Sequence, residues 1–150
     1  MIPPEHLKVL ADVGFTPSPK QLEVINCPAR TILVCTGEQW GKSYAAAMWA
    51  FGQTFKPKKP SQPKELGWIV GKHYDMTRFV HDYLREIMKK SGLGSGSDIA
   101  NPGIINVAGG VTVRTKSALD AESLMGESPD WIVVDEAAQL PWDSMLRVFT

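Results

Sequence analysis

The residues with the clearest chemical potential form one short turn between an apolar run and an Ala-rich stretch: Gly37-Glu38-Gln39-Trp40-Gly41-Lys42-Ser43. Backbone N–H groups in such a turn, together with the start of the following helix, bind phosphate oxygens. Lys42 would reach the β- and γ-phosphates, and the Ser43 hydroxyl would hold Mg²⁺. Thr36 stands where this motif usually has its first glycine, so Gly37 must allow a related turn. We interpret the seven residues as nucleotide-binding and Lys42 also as catalytic, against the alternative of an incidental Gly-Lys-Ser turn.

A pair of acids forms the second candidate site. Trp131-Ile132-Val133-Val134 predicts a buried strand, and Asp135 and Glu136 follow it directly. Asp135 would hold Mg²⁺ through water, and Glu136 would orient and deprotonate the attacking water. Alone, the pattern is equally typical of a strand that ends in solvated acids. Its position about 90 residues after the Gly-Lys-Ser turn makes the catalytic interpretation more specific.

An aromatic residue and an amide upstream of the turn form the third candidate. Phe15 would pack on a nucleotide base and Gln21 would hydrogen-bond the edge of the base, which favours ATP over GTP. A hydrophobic staple with a surface glutamine explains the same two residues equally well.

Alternating strands and helices are predicted around these residues. Ser18 and Pro19 open a helix that ends before Pro28. The predicted strands are a fully buried one at Thr31–Cys35, another at Gly67–Val70 and a third at Trp131–Val134. Helices are predicted over 42–55, 74–90 and from 141, with a short one over 118–125, and a hairpin turns at Gly109-Gly110. The pattern predicts an α/β fold, a mostly parallel sheet with helices on both faces and a β-hairpin insertion, whose ligands bind at the carboxyl ends of the strands.

The composition of the chain limits the class of protein to which it can belong. The 150 residues are 43% hydrophobic and 21% charged, which indicates one globular domain. No apolar run is long enough to span a membrane, and no signal peptide is visible. Sixteen basic residues balance sixteen acidic ones, so net charge does not indicate nucleic acid. Cys27 and Cys35 are expected to be small core residues. The basic loop that contains Lys56, Lys58, Lys59 and Lys64 is interpreted as a solvated loop.

Five stretches, in this order, resemble the N-terminal ATPase domain of the large terminase subunit of tailed bacteriophages. FTPSPKQLEV is similar to the adenine motif of that family, and TILVCTGEQWGKSYAAA to its phosphate loop. ELGWIVGKHYDMTRFVHDYL resembles the next strand–helix unit. INVAGGVTVRTKSA and LMGESPDWIVVDEAAQLPWDSM resemble its hairpin, its Leu-x-Gly turn and its acidic pair.

The resemblance implies a P-loop NTPase of the ASCE type that uses ATP and Mg²⁺ to pump double-stranded DNA into a capsid. It implies a ring of copies on the portal protein, recruitment with a small terminase subunit, and a soluble location in the host cytoplasm without membrane contact. We expect residues 1–150 to form part of the N-terminal ATPase domain, with the rest of that domain and the nuclease domain lying in a longer protein.

Two departures from the family concern arginines. Glu38 and Met125 stand where the family often has arginine, and the sequence does not support Arg114 or Arg147 as a substitute. A non-hydrolysing ATP-binding fragment is therefore one alternative. A helicase-like ATPase is another, although Ala137-Ala138 after the acidic pair disfavours it.

Overall fold

The computed structural model describes residues 2–57, 60–61 and 64–149. Lys58 and Lys59 of the predicted basic loop lie outside the described residues. The helices are α1 (Pro4–Asp12), α2 (Pro19–Ile25), α3 (Lys42–Gln53), α4 (Tyr74–Ser91) and α5 (Trp142–Phe149). The strands are β1 (Glu65–Gly71), β2 (Gly94–Gly96), β3 (Ile104–Val107), β4 (Val111–Ser117) and β5 (Trp131–Val134). Short 3₁₀ turns occupy Ala121–Leu124 and Ala137–Gln139.

The strands form one sheet in the order β2-β3-β4-β1-β5. Central β1 pairs in parallel with β4 and with β5, while β3 pairs antiparallel with β2 and β4. The predicted α/β fold and the predicted hairpin, which turns between β3 and β4, are both confirmed. A side chain at Gly67 would place its Cβ 2.1 Å from the Trp131 ring, so the close approach of β1 and β5 requires glycine there.

Alternation along the strands gives the sheet two apolar faces. Ile69 and Val133 face a core that is shared with α1 to α4. Trp68 and Val70 face a second cluster, which includes Leu140 and Val148 of the chain after β5. The helices therefore cover both faces of the sheet, as predicted.

Helix ends follow the predicted signals. Ser18 forms a complete capping box with Gln21, and Pro19 occupies the first helical position of α2. Helix α4 has Lys89 and Lys90 in its last turn and ends at Ser91, and the next residue, Gly92 at φ 71°, allows the left-handed cap. None of the helices in the described ranges combines the length and apolarity that crossing a membrane requires.

Two predictions about the stretch before the phosphate loop are wrong. Residues 31–35 are not a strand: no described strand pairs with them, and the Leu33 side chain is 79% exposed. An apolar run predicts burial, but a strand also requires a neighbouring strand to pair its backbone groups. The two cysteines are not core residues either, because Cys27 is half-buried and Cys35 is exposed.

Candidate active site

The phosphate loop runs directly into α3. Helix α3 begins at Lys42, and Gly41 before it has φ 84°. The positive φ favours glycine at position 41, and a Cβ there would also lie 2.8 Å from Gln21 Nε2 and displace the end of that side chain. Gln39 has φ 62°, a left-handed conformation that is uncommon outside glycine. The loop therefore has a sharply turned backbone immediately before the helix N-terminus.

A hydrogen bond joins this loop to the acidic pair. The Ser43 hydroxyl donates to Asp135 Oδ2 at 2.9 Å, although the two residues are 92 positions apart. The backbone N–H of Asp135 donates to the Val70 carbonyl and so extends the pairing of β5 with β1. Burial raises the pKa of Asp135, against the lowering effect of the Ser43 hydrogen bond. The structure thus places a partly desolvated carboxylate against the loop at the carboxyl end of the sheet.

Lys42 folds back over its own loop. Its ammonium donates to the carbonyls of Thr36 at 3.4 Å and Gly37 at 3.2 Å. These carbonyls are hydrogen-bond partners of the Lys42 ammonium, so a phosphate would have to replace them. Gly37, Glu38 and Gln39 are exposed, and Trp40 is half-buried.

Glu136 lies just beyond the strand with an unusual backbone. Its φ is 52°, its side chain is exposed, and its N–H donates to Asp135 Oδ1 at 3.2 Å. Non-glycine residues adopt this conformation mostly where the surrounding structure imposes it, and such residues are common at active sites. The fold brings four of the predicted site residues to one edge of the sheet: Lys42, Ser43, Asp135 and Glu136.

Gln21 contacts the phosphate loop rather than solvent. It is 7% exposed, its carbonyl oxygen accepts from the Ser18 N–H, and its amide donates to the carbonyls of Trp40 and Gly41 at 3.2 and 3.4 Å. The alternative of a surface glutamine is therefore wrong. Its contact with a base stays a prediction.

Phe15 is packed inside the protein. It is 4% exposed, and its ring stacks on Tyr44 with 5.2 Å between centroids. Tyr83 meets the same ring edge-on at 6.1 Å. Tyr44 covers one face of the Phe15 ring, and the predicted stacking of Phe15 on a base stays a prediction.

Sequence reasoning missed two groups. Tyr44 follows Ser43, but nothing in its spacing indicates that its hydroxyl accepts from the Thr16 N–H at 3.0 Å. The second group is an ion-pair cluster in which Glu127 contacts both Arg114 and Lys116. This cluster holds the turn that precedes β5 against β4. It also pairs Arg114, which is one of the two arginines considered as substitutes for the arginines of the family. Arg147, the other, is exposed in the last turn of α5.

A cavity of about 350 Å³ lies elsewhere, between α4 and the loop after β2. Asp75, Arg78 and Asp98 are among its lining residues, and none of the predicted site residues lines it. Within the described ranges, no cluster of three or more acidic, His or Cys side chains is arranged to hold a metal.

The fold and the Ser43–Asp135 contact define a class: an α/β protein whose glycine-containing loop faces an acidic strand end. Residues 33–150 match the family described as terminase large subunit, T4likevirus-type, N-terminal. The chain belongs to this family, which confirms the resemblance seen in the motifs.

Individual relatives agree with this assignment. The chain is 31% identical over 134 residues to the terminase large subunit of Escherichia phage T5, and 26% identical over 150 residues to that of Thermus phage G20c. Each match covers 87% of this chain but only 29% and 30% of the relative, so the chain spans about a third of their length. The solved large terminase ATPase domain of Thermus phage P74-26 matches with a TM-score of 0.72 and 21% identity. That match covers 95% of this chain and 61% of the solved domain, and it supports the fold.

Proposed function

We propose that this chain is the ATP-hydrolysing part of a phage DNA-packaging motor and forms part of its N-terminal ATPase domain. The observation that carries the proposal is the Ser43–Asp135 hydrogen bond. It places a hydroxyl and a carboxylate oxygen 2.9 Å apart beside a loop that leads into a helix N-terminus. Oxygen ligands of this kind, few in number, suit Mg²⁺ that is bound mainly to nucleotide phosphates.

Each site residue has a distinct role in this proposal. The N–H groups of residues 37–43 bind the phosphates, and the Lys42 ammonium exchanges its two carbonyl partners for phosphate oxygens. Ser43 would hold Mg²⁺ directly and Asp135 through water, and the ion would neutralise charge on the phosphates. Glu136 orients the attacking water and accepts its proton.

The proposed partners come from the family to which the chain belongs. Its curated relatives are terminase large subunits. We propose that the complete protein translocates double-stranded DNA into a capsid, assembles as a ring on the portal protein, and is recruited with a small terminase subunit.

One observation favours a second candidate, a domain that binds ATP without hydrolysing it. Among the described residues, no arginine makes a hydrogen bond to the phosphate loop, and Arg114 is paired with Glu127. Phosphoryl transfer in related enzymes gains a large rate factor from an arginine. In this second candidate, the chain therefore binds the nucleotide without measurable turnover.

The test measures equilibrium binding of ATP with Mg²⁺ and phosphate release in the same samples. We expect Lys42→Ala to weaken binding by about 10- to 100-fold, because it removes charge-assisted hydrogen bonds to phosphate. Lys8→Ala, which removes an exposed lysine on α1, is the matched control. Binding with phosphate release supports the motor, whereas binding without release supports the second candidate. Equal binding by Lys42→Ala and the unaltered chain would contradict both.

A further inference from the structure

Two hydrogen-bonded bridges connect residues 15–21, which lead into and begin α2, to the phosphate loop and the first turn of α3. One runs from the Gln21 amide to the carbonyls of Trp40 and Gly41, immediately before Lys42. The other runs from the Thr16 N–H to the Tyr44 hydroxyl, immediately after Ser43. The segment is therefore attached on both sides of the two residues that are proposed to bind phosphate and Mg²⁺.

Packing fixes the Tyr44 hydroxyl in place. The Tyr44 ring stacks on Phe15 with an interplanar angle of 11°, and it meets the Tyr83 ring of α4 edge-on with 5.4 Å between centroids. Phe15 is itself buried, so neither ring can turn freely. The hydroxyl thus presents a fixed acceptor to the backbone of Thr16, whose own side chain is exposed and lies outside any helix or strand.

We propose that Tyr44 is a positioning residue that sets the placement of the base-reading segment, residues 15–21, relative to the phosphate loop. The proposal rests on the proposed function and on base contact by that segment. Tyr44 follows Ser43 within α3, so its hydroxyl transmits the position of the phosphate-binding helix to the backbone at Thr16. Loss of the hydroxyl then affects discrimination between bases and leaves the phosphate contacts intact.

The test uses Tyr44→Phe, which keeps the stacked ring and removes only the hydroxyl. Binding of ATP, GTP and inorganic triphosphate, each with Mg²⁺, is measured for this variant and for the unaltered chain. Because one hydrogen bond is lost, we expect about a 2- to 10-fold loss of ATP affinity and an equal loss of preference over GTP. Triphosphate affinity should not change. Tyr83→Phe, which removes a hydroxyl from the other tyrosine of the cluster, should change none of the three.

Two results would overturn the proposal. If ATP and triphosphate affinities fall together, Tyr44 acts only on the general stability of the loop. If the preference for ATP over GTP is the same in Tyr44→Phe as in the unaltered chain, the hydroxyl does not position the segment. An unaltered chain that binds neither ATP nor triphosphate would refute the proposed function itself. A chain that binds both with equal affinity would refute only the base-reading role.

Discussion

At the scale of single residues, the acidic pair divides into two different environments. Asp135 is partly buried and hydrogen-bonded to Ser43, whereas Glu136 is exposed and has a left-handed backbone conformation. A buried carboxylate against a hydroxyl suits a metal ligand, and an exposed one at the strand end suits a water-activating base. The different surroundings, rather than the identity of the acids, support the assignment of roles.

Glu136→Gln tests this division directly. The amide keeps the size of the side chain but cannot accept a proton, so we expect phosphate release to fall by at least about 100-fold. ATP affinity should be unchanged, because Glu136 contacts neither the loop nor Ser43 among the described hydrogen bonds. Binding and phosphate release are followed in the same samples, with Glu23→Gln on α2 as control. Undiminished release in Glu136→Gln would show that another group is the base.

At the scale of elements, the turn before β5 is held by charge. Glu127 contacts Arg114 and Lys116 of β4, and the Lys116 ammonium also donates to the Ser123 carbonyl and lies over the Trp68 ring. The cluster fixes the chain that leads into the acidic strand.

The pH dependence of stability reports on this cluster. The hydrogen-bonded contact with Lys116 lowers the pKa of Glu127, with a further contribution from Arg114 and an opposing effect of burial. A lowered pKa means that the folded state favours the charged carboxylate. The stabilisation is therefore complete above the ordinary value of 4.5 and is lost as pH falls through the lowered folded value.

Glu127→Gln should reduce the free energy of unfolding by about 1 kcal/mol at pH 7, since the pair is partly exposed to solvent. The difference from the unaltered chain should shrink as the pH falls below 4.5. Urea unfolding across a pH series measures it, and Glu122→Gln on the adjacent exposed turn is the control. A difference that persists unchanged in acid would mean that the charge of Glu127 does not hold the turn.

Elements differ in how well the sequence alone predicts them. Local signals were sufficient for α2 and α4, because Ser18, Pro19 and Gly92 act within one helical turn. The β3–β4 hairpin was also predictable, since Gly109 and Gly110 both have positive φ and join neighbouring strands. The prediction of a strand at residues 31–35 was wrong because strand pairing depends on a distant partner that local composition does not specify.

The candidate site shows the same limit. The types of Lys42, Ser43 and Asp135 were enough to predict a common location, and in the structure Ser43 donates a hydrogen bond to Asp135. The hydrogen bond between Thr16 and Tyr44 spans 28 positions and has a backbone donor, so no pattern of side chains in the sequence predicts it. Side-chain chemistry was therefore predictable, while the backbone contacts that position it required the structure.

At the scale of the whole molecule, the site joins parts of the chain that are remote in sequence. Helix α3 precedes β1 in the chain and strand β5 follows β4, and the Ser43–Asp135 hydrogen bond connects these two distant elements. Burial raises the pKa of Asp135, so its charged form costs the free protein stability near neutral pH. A bound cation would compensate that charge, and ligand binding should therefore stabilise the entire fold.

Thermal unfolding with and without ligand measures this coupling. A ligand at 100 times its Kd adds about 2.7 kcal/mol, which raises the melting midpoint of a chain of this size by about 5–10 °C. We expect this rise for ATP with Mg²⁺, and a smaller one for ATP with EDTA. In Asp135→Asn the free protein should melt no lower than the unaltered chain, because a buried charge has been removed. Its rise with ATP and Mg²⁺ should fall to the EDTA value, while Asp12→Asn on α1 should behave like the unaltered chain. Equal Mg²⁺-dependent stabilisation of Asp135→Asn and the unaltered chain would show that the carboxylate is not a ligand, since only a group that interacts with the ion can make global stability depend on it.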